Sequence, residues 1–579
     1  MSEENKVESD RSLLQGAHAK GPIATLGAFV RLSGPGWLQS AITLGGGSLA
    51  GALFLGILGG TSLLWLQLVA IIMGVVMLSA ISYVTLSTGE RPFRTIRDHV
   101  NPVLAWGWVL ATIAANMIWC MPQFSLCFAA LEKNLLAGTV EGTDQFKYGI
   151  SAFFLIAAGF AVYLNGQQGR AARAFDIFLK ILIGMIVLCF VGVVVLLARS
   201  GKLNWSTIAN GFIPDFSQWN RPTGSLAQLV QGLPTDMQDF WSAKIVTAQS
   251  NVMIAAAATA VGINMTFLMP YSLLKRGWDQ TFRGLARFDL ATGMAIPYIA
   301  VTSCIVIAAA TQFHGQADDL FLSNDPETMQ KSKLFDKTKT LLKERVVGAE
   351  AFQALSKADR GELTAEELVQ AAALSQEEKQ IISSITKRGA FDLSEALEPL
   401  LGEKRSRYVF GLGILGMGFS TIIILMLING FAFCEVLGRP LGGTPYIVGC
   451  LVAGIAGASW PYFWDGDSKV YLSIVASSFG SMLLPIAYVT FFLLMNNSQV
   501  LGDAMPRGFT RLVWNLLMGV SVLGAIAAAG KAIYDKAANP QTGPVVMTVA
   551  AGFAIAAIVG FLDRQNSRRE PGSPAPDDN

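Results

Sequence analysis

Three consecutive glycines, Gly45-Gly46-Gly47, stand in the middle of an apolar stretch that runs from Gly34 to Gly60. About 20 such residues suffice to cross a bilayer. Glycine in a helix interior costs about 1 kcal/mol relative to alanine, so three in succession predict an unwound segment inside a membrane helix. In hydrocarbon, unwound backbone persists only where protein buries it or where it lines a polar cavity, because no water is there to bond its N–H and C=O groups. Broken helices of this kind are where secondary transporters hold their cargo. The residues beside the break therefore decide what the chain can do, and no carboxylate is among them.

The rest of the chain follows the same logic. Only 15% of the 579 residues are charged, against roughly 25% in soluble proteins. Apolar runs near 37–58, 62–87, 103–131, 148–165, 174–198, 251–275, 288–312, 407–436, 444–462, 469–496, 511–532 and 543–562 predict twelve spans of an all-α polytopic membrane protein. Arginine and lysine, including Arg91, Arg94, Arg97, Arg170, Lys275, Arg276, Arg439, Arg507, Arg511 and Arg564, fall in alternate loops and the C-terminal tail. The positive-inside rule assigns those loops and both termini to the cytoplasm of an inner (plasma) membrane, and the polar segments near 199–249 and 313–406 to the outside.

This reading divides the chain into a mobile cytoplasmic tail (1–33), spans 1–7 (34–313), an extracytoplasmic helical insert (314–406), spans 8–12 (407–565) and a second cytoplasmic tail (566–579). Lys357-Ala-Asp-Arg-Gly-Glu-Leu-Thr-Ala-Glu-Glu-Leu resembles the end of a calcium-binding loop, but the acidic first half that calcium requires is missing. The insert is expected to be a helical cap or spacer. Six cysteines lie in or at the ends of apolar runs, without a CxxC pair, and are expected to pack as small apolar side chains. No nucleophile–base set, metal cluster or phosphate loop suggests an enzyme, no cofactor is implied, and no basic stripe suggests nucleic acid. The expected partners are a small ion and the bilayer.

A second break is expected at Gly262-Ile-Asn-Met-Thr-Phe-Leu-Met-Pro270, where Pro270 removes a backbone donor and disfavours helix at Met269. It lies five spans after the glycine break, the spacing of an inverted five-helix repeat.

These segments carry a resemblance. GPGWLQSAITLGGGSLA resembles the first helix of the Nramp metal-transporter family, with Gly34-Pro35-Gly36 and Ser40 coinciding. Thr61-Ser-Leu-Leu-Trp65, Thr266-Phe-Leu-Met-Pro-Tyr271, Gly418-Phe-Ser-Thr421 and Leu484-Pro485 resemble elements of that family's second, sixth, eighth and tenth helices. The resemblance implies a LeuT-type fold, two inverted five-helix repeats plus two extra helices, working by alternating access. The departures are at the site. The family's metal-binding Asp and Asn fall on Gly45 and Ser48, its helix-3 acids on Ile113 and Asn116, and its helix-6 His on Tyr271. Only Met269 remains of the metal set.

A lone thioether cannot replace the hydration of a divalent ion. Helix N-termini and consecutive glycine amides can, by contrast, hold an anion without a charged side chain. The site residues expected on this reading are Gly45, Gly46, Gly47, Ser48, Asn264, Thr266, Met269, Tyr271 and Asn116, around a small anion such as bicarbonate. Sodium is the expected coupling ion, and the resemblance places its site at Ser420 and Thr421 of the eighth span, with Thr43. The alternatives are a transporter of Mg²⁺ or Mn²⁺ with a relaxed site, and a non-transporting sensor.

Overall fold

The computed structural model describes residues 3–139, 143–166, 170–356, 359–386, 388–463, 471–538 and 543–569. Among them, nine helices are long and apolar enough to cross a membrane. Two further pairs qualify as bent spans, and the shorter apolar helix Gly443–Ala458 completes twelve segments in the expected order. No strand occurs among the described residues.

Span 10, Phe479–Met495, bends by 65° into Ser498–Ala504 at its end, and two further segments are interrupted within the bundle. Span 1 is Pro35–Thr43 followed by Gly46–Gly59, with a bend of 54° between the halves. Span 6 is Thr235–Ala260 followed by Ile263–Lys275. Gly45 is extended (φ −92°, ψ −178°), as are Val261 (φ −144°, ψ 113°) and Gly262 (φ −91°, ψ 168°). The second break therefore falls just ahead of Gly262, and Pro270 lies inside the helix that follows. Pro270 is the eighth residue of that helix, so it removes one interior hydrogen bond, to the Thr266 carbonyl, without ending the helix.

Burial ranks the spans. In spans 6 and 8 (Glu403–Val436), 94% and 83% of the apolar window is enclosed by protein, against 22% for span 11 (Gly508–Ala537) and 0% for span 12 (Gly543–Arg564). Spans 1, 6 and 8 thus form the centre, with span 3 (Pro102–Ala130) against them, and spans 11 and 12 face lipid. The N-terminal residues differ from the mobile tail expected of them. Glu3–Lys20 and Pro22–Leu32 are helices. Leu14 is fully buried, and Arg11 pairs with Asp279 at 2.7 Å, docking the segment on the loop after span 6.

The insert is more than a spacer. Phe321, Met329, Leu342, Ile381 and Ile382 pack with Leu226, Trp241 and Ile245 into a hydrophobic core separate from that of the membrane bundle. Span 6 begins at Thr235 because its first turns belong to this core. The Lys379 ammonium is buried against the carbonyls of Ser323 (2.8 Å) and Ala372 (2.7 Å), and burial holds its pKa below the ordinary lysine value. The calcium-loop-like segment is a helix start: Thr364 and Glu367 form a capping box, and the Glu367 carboxylate also binds Lys343 at 2.5 Å. Lys357 and Ala358, which open that segment, lie outside the described residues, as do 570–579 of the C-terminal tail.

Candidate substrate site at the two helix breaks

The glycines of span 1 serve proximity. None of Gly45, Gly46 and Gly47 has a positive φ. A Cβ on Gly45 would come within 2.5 Å of Thr421 Oγ1, and one on Gly47 within 2.9 Å of Thr259 Cγ2. One turn further, a Cβ on Gly51 would stand 3.0 Å from Ala256 Cα. Small residues let membrane helices approach backbone to backbone, and here they seat the break of span 1 against spans 6 and 8.

A narrow pocket remains at the break, with an accessible volume of about 10 Å³, the room of one water-sized particle. Gly45, Gly47, Ser48, Gln123, Thr259 and Thr421 line it, and none of its lining residues is acidic. Its polar groups are hydroxyls and a carboxamide. The Gly46 N–H donates to Gln123 Oε1 at 2.9 Å, so span 3 caps the second half of span 1. Ser48 donates to the Thr43 carbonyl across the break. The expected nest of glycine amides is therefore partly satisfied from within the protein, at Gly46.

At the second break, Gln39 of span 1 donates to the Met265 carbonyl at 3.3 Å, and the Thr43 hydroxyl donates to the Gln39 carbonyl (2.8 Å) and meets Met265 Sδ at 3.5 Å. The methionine sulfur brought to span 1 is thus that of Met265, three residues after the break. Met269 lies one turn further along the same helix. Gln39 Oε1, Ser40 Oγ and Asn264 Nδ2 are buried without a hydrogen-bond partner, although their residues are almost or wholly inaccessible. Orphaned polar atoms in a membrane interior are costly, and three of them beside two unwound segments mark a place built to receive something polar.

The remaining expected residues point elsewhere. Thr266 accepts from Trp108 Nε1 at 3.0 Å and donates to the Ile263 carbonyl. Tyr271 stacks on Phe267 with ring centroids 4.3 Å apart. Asn116 faces Asn429 across spans 3 and 8, at 3.5 Å. These three do not line the pocket at Gly45–Ser48, although Asn116 Oδ1 and the Tyr271 hydroxyl are likewise buried without a hydrogen-bond partner. The residues that sequence reasoning missed are Gln39, Gln123, Thr259 and Met265. Gln39 and Gln123 are polar residues in apolar runs, and that was the available signal.

At span 8, the hydroxyls of Ser420 and Thr421 converge on the Ala41 carbonyl, at 3.0 and 3.2 Å, and each also reaches the Met417 carbonyl. Thr43 is turned toward Met265 instead of joining them. Among the described residues no group of three or more His, Cys, Asp or Glu could hold a metal ion.

Two broken helices five spans apart, packed on one another inside the bundle, give the arrangement of a LeuT-type fold. The chain matches the model of the Natural resistance-associated macrophage protein-like (Nramp) family over residues 36–329 and 368–529, and it belongs to that family. Among solved structures it is similar to the Eremococcus coleocola manganese transporter in complex with an aromatic bis-isothiourea substituted compound, at 14% identity and a TM-score of 0.58, covering 93% of this chain and 94% of that one. Two mutant forms of the same transporter match equally well. Among curated proteins no sequence matches at a significant level.

Proposed function

We propose that the protein is a secondary transporter of a divalent metal ion, Mg²⁺ or Mn²⁺, which it binds weakly and moves by alternating access. The observation that carries this reading is the contact between the two broken spans, where Thr43 meets the Met265 sulfur and Gln39, its Oε1 unpartnered, donates to the Met265 carbonyl. Family membership and the likeness to a manganese transporter favour a cation over the anion expected from the sequence. The donor set is neutral. A metal held by carbonyl, carboxamide and thioether groups keeps part of its hydration, and the affinity falls toward the millimolar range, about −4 kcal/mol. The 314–406 insert and the basic loops occupy opposite ends of the chain's alternating topology, which supports cytoplasmic termini and an external insert.

A second reading rests on one specific observation, the absence of any acid among the pocket's lining residues. A small anion such as bicarbonate would then be the cargo, with sodium held by Ser420, Thr421 and the Ala41 carbonyl. Against it stands the Gly46 amide, which an anion would have to win from Gln123. Flux into proteoliposomes with Mg²⁺, Mn²⁺ or labelled bicarbonate, each with and without a sodium gradient, separates the two. Metal flux that saturates near millimolar levels is the expected result. Sodium-driven bicarbonate uptake with no metal flux would replace the first reading by the second.

A further inference from the structure

Away from the helix breaks, at the end of the bundle that carries the basic loops, lies a cleft of about 480 Å³. It opens where three elements end: the short helix Pro92–His99 ahead of span 3, the break after span 10 at Asn496–Ser498, and the last turns of span 12. Its wall is apolar, built from Val100, Leu493 and Phe561. Its rim is polar, with His99, Asn497, Gln499 and Arg564, and none of the nine lining residues is acidic.

The rim is a built arrangement. Asn497 Nδ2 donates to the His99 carbonyl at 3.1 Å, while its Oδ1 accepts from the Gln499 N–H at 2.9 Å. Asn496, also in the lining, donates to Asn515 Oδ1 at 2.8 Å and presents its own Oδ1 to the Arg511 guanidinium at 3.3 Å. Arg564 donates to the Asp98 carbonyl, which fixes its head over the cleft. The Asp98 carboxylate itself is engaged by Arg97. Span 12 is anchored here by close approach: a Cβ on Gly560 would stand 2.7 Å from Asn101 Oδ1, and Asn101 Nδ2 donates to the Ala557 carbonyl. From Phe561 the apolar wall continues onto the open face of span 12, where Ile555, Ile558, Val559 and Leu562 are all more than half exposed.

We infer that this cleft is a binding site for the headgroup of an anionic phospholipid. A cationic, acid-free rim selects a phosphate. The apolar face that leads out of the cleft along a lipid-facing helix selects a ligand with acyl chains over free phosphate. The lipid would wedge between spans 3, 10 and 12 and hold the peripheral span 12 to the bundle.

The test is native mass spectrometry of the full chain released from micelles supplied with phosphatidylglycerol or phosphatidylcholine. Phosphatidylglycerol should be retained preferentially. Because one cation near a charged surface contributes about a fivefold change in binding, Arg564→Gln should lower retention about fivefold. Ser498→Glu, which adds a carboxylate to an exposed rim position without removing packing, should lower it at least as much. Arg507→Gln removes an exposed arginine paired with Asp503 outside the cleft and should leave retention unchanged. Equal loss in all three variants would mean diffuse electrostatics and overturn the site. Inorganic phosphate that displaces the lipid at millimolar concentration, or that stabilises the wild type and not Arg564→Gln, would overturn the lipid reading in favour of a soluble phosphate. Retention unaffected by Arg564→Gln and Ser498→Glu would overturn both.

Discussion

The two helix breaks share an extended backbone and a central position, yet they are held open by different means. Apart from the Ser48 bond to the Thr43 carbonyl across it, the break in span 1 is stabilised from outside. Its amide at Gly46 is capped by Gln123 of span 3, and the surroundings of Gly45 are fixed by Thr421 of span 8. The break in span 6 has more support of its own, although Gln39 of span 1 and Trp108 of span 3 also bond its first turn from outside. Asn264 Oδ1 accepts from the Met265 N–H and Thr266 donates to the Ile263 carbonyl, each within one turn. The first break should therefore respond more to mutations in other helices, and the second more to mutations in its own. A gate that moves needs the first kind of support, because external contacts can be exchanged for others when a neighbouring helix shifts.

The sharpest way to break this comparison is to fill the first break. Gly45→Ala should cost about 1–3 kcal/mol through the clash with Thr421, read as a lowered thermal midpoint in detergent. Combining it with Thr421→Ala should recover a large part of that loss. If the double variant is no more stable than Gly45→Ala alone, the glycine is not there for proximity.

Next is a contrast within span 6. Met265→Ala should reduce metal flux about tenfold, equivalent to ~1.4 kcal/mol, while Met269→Ala should change it far less. Equal losses, or a larger loss at Met269, would return the site to the register that the sequence resemblance implies.

A smaller effect is expected at the internal support of the second break. Thr266→Val leaves the buried Trp108 N–H without an acceptor and should cost about 1 kcal/mol, with uptake largely kept. A transport defect larger than the stability defect would mean that Thr266 touches the cargo.

The smallest effect concerns the far end of span 1. His314, just beyond span 7, bridges the Ile57 carbonyl and the Ser225 N–H, both at 2.9 Å. Accepting from Ser225 requires a neutral ring, and burial holds the imidazole pKa below its ordinary 6.5. A depressed folded-state value means that the stabilisation is complete above pH 6.5 and is lost as pH falls through the lower, folded-state value. The contact between span 1 and the helix Gly224–Gln231 should loosen on acidification, seen as faster hydrogen exchange at Ser225. His314→Gln should remove that pH dependence, and an unchanged pH profile in the variant would assign it to another group.

The sequence by itself determined the class of fold. Hydrophobic run length fixes the number of spans, because a bilayer sets a length that composition must match, and the glycine run marks the place of the first break, although only Gly45 is extended while Gly46 and Gly47 open the next helix. The absence of a carboxylate at Gly45 and Ser48 was equally legible. What the tertiary structure decided is which side chains meet. It placed the second break at Val261–Gly262, the start of the Gly262–Pro270 segment, and left Pro270 inside the helix that follows. It brought Met265 to Thr43 of span 1, and it set Thr266, Tyr271 and Asn116 against Trp108, Phe267 and Asn429. It also gave the insert a core by borrowing Trp241 and Ile245 from the start of span 6. Such pairings depend on helix rotation and on residues far apart in the chain, and a one-dimensional pattern of apolar and polar positions does not encode either.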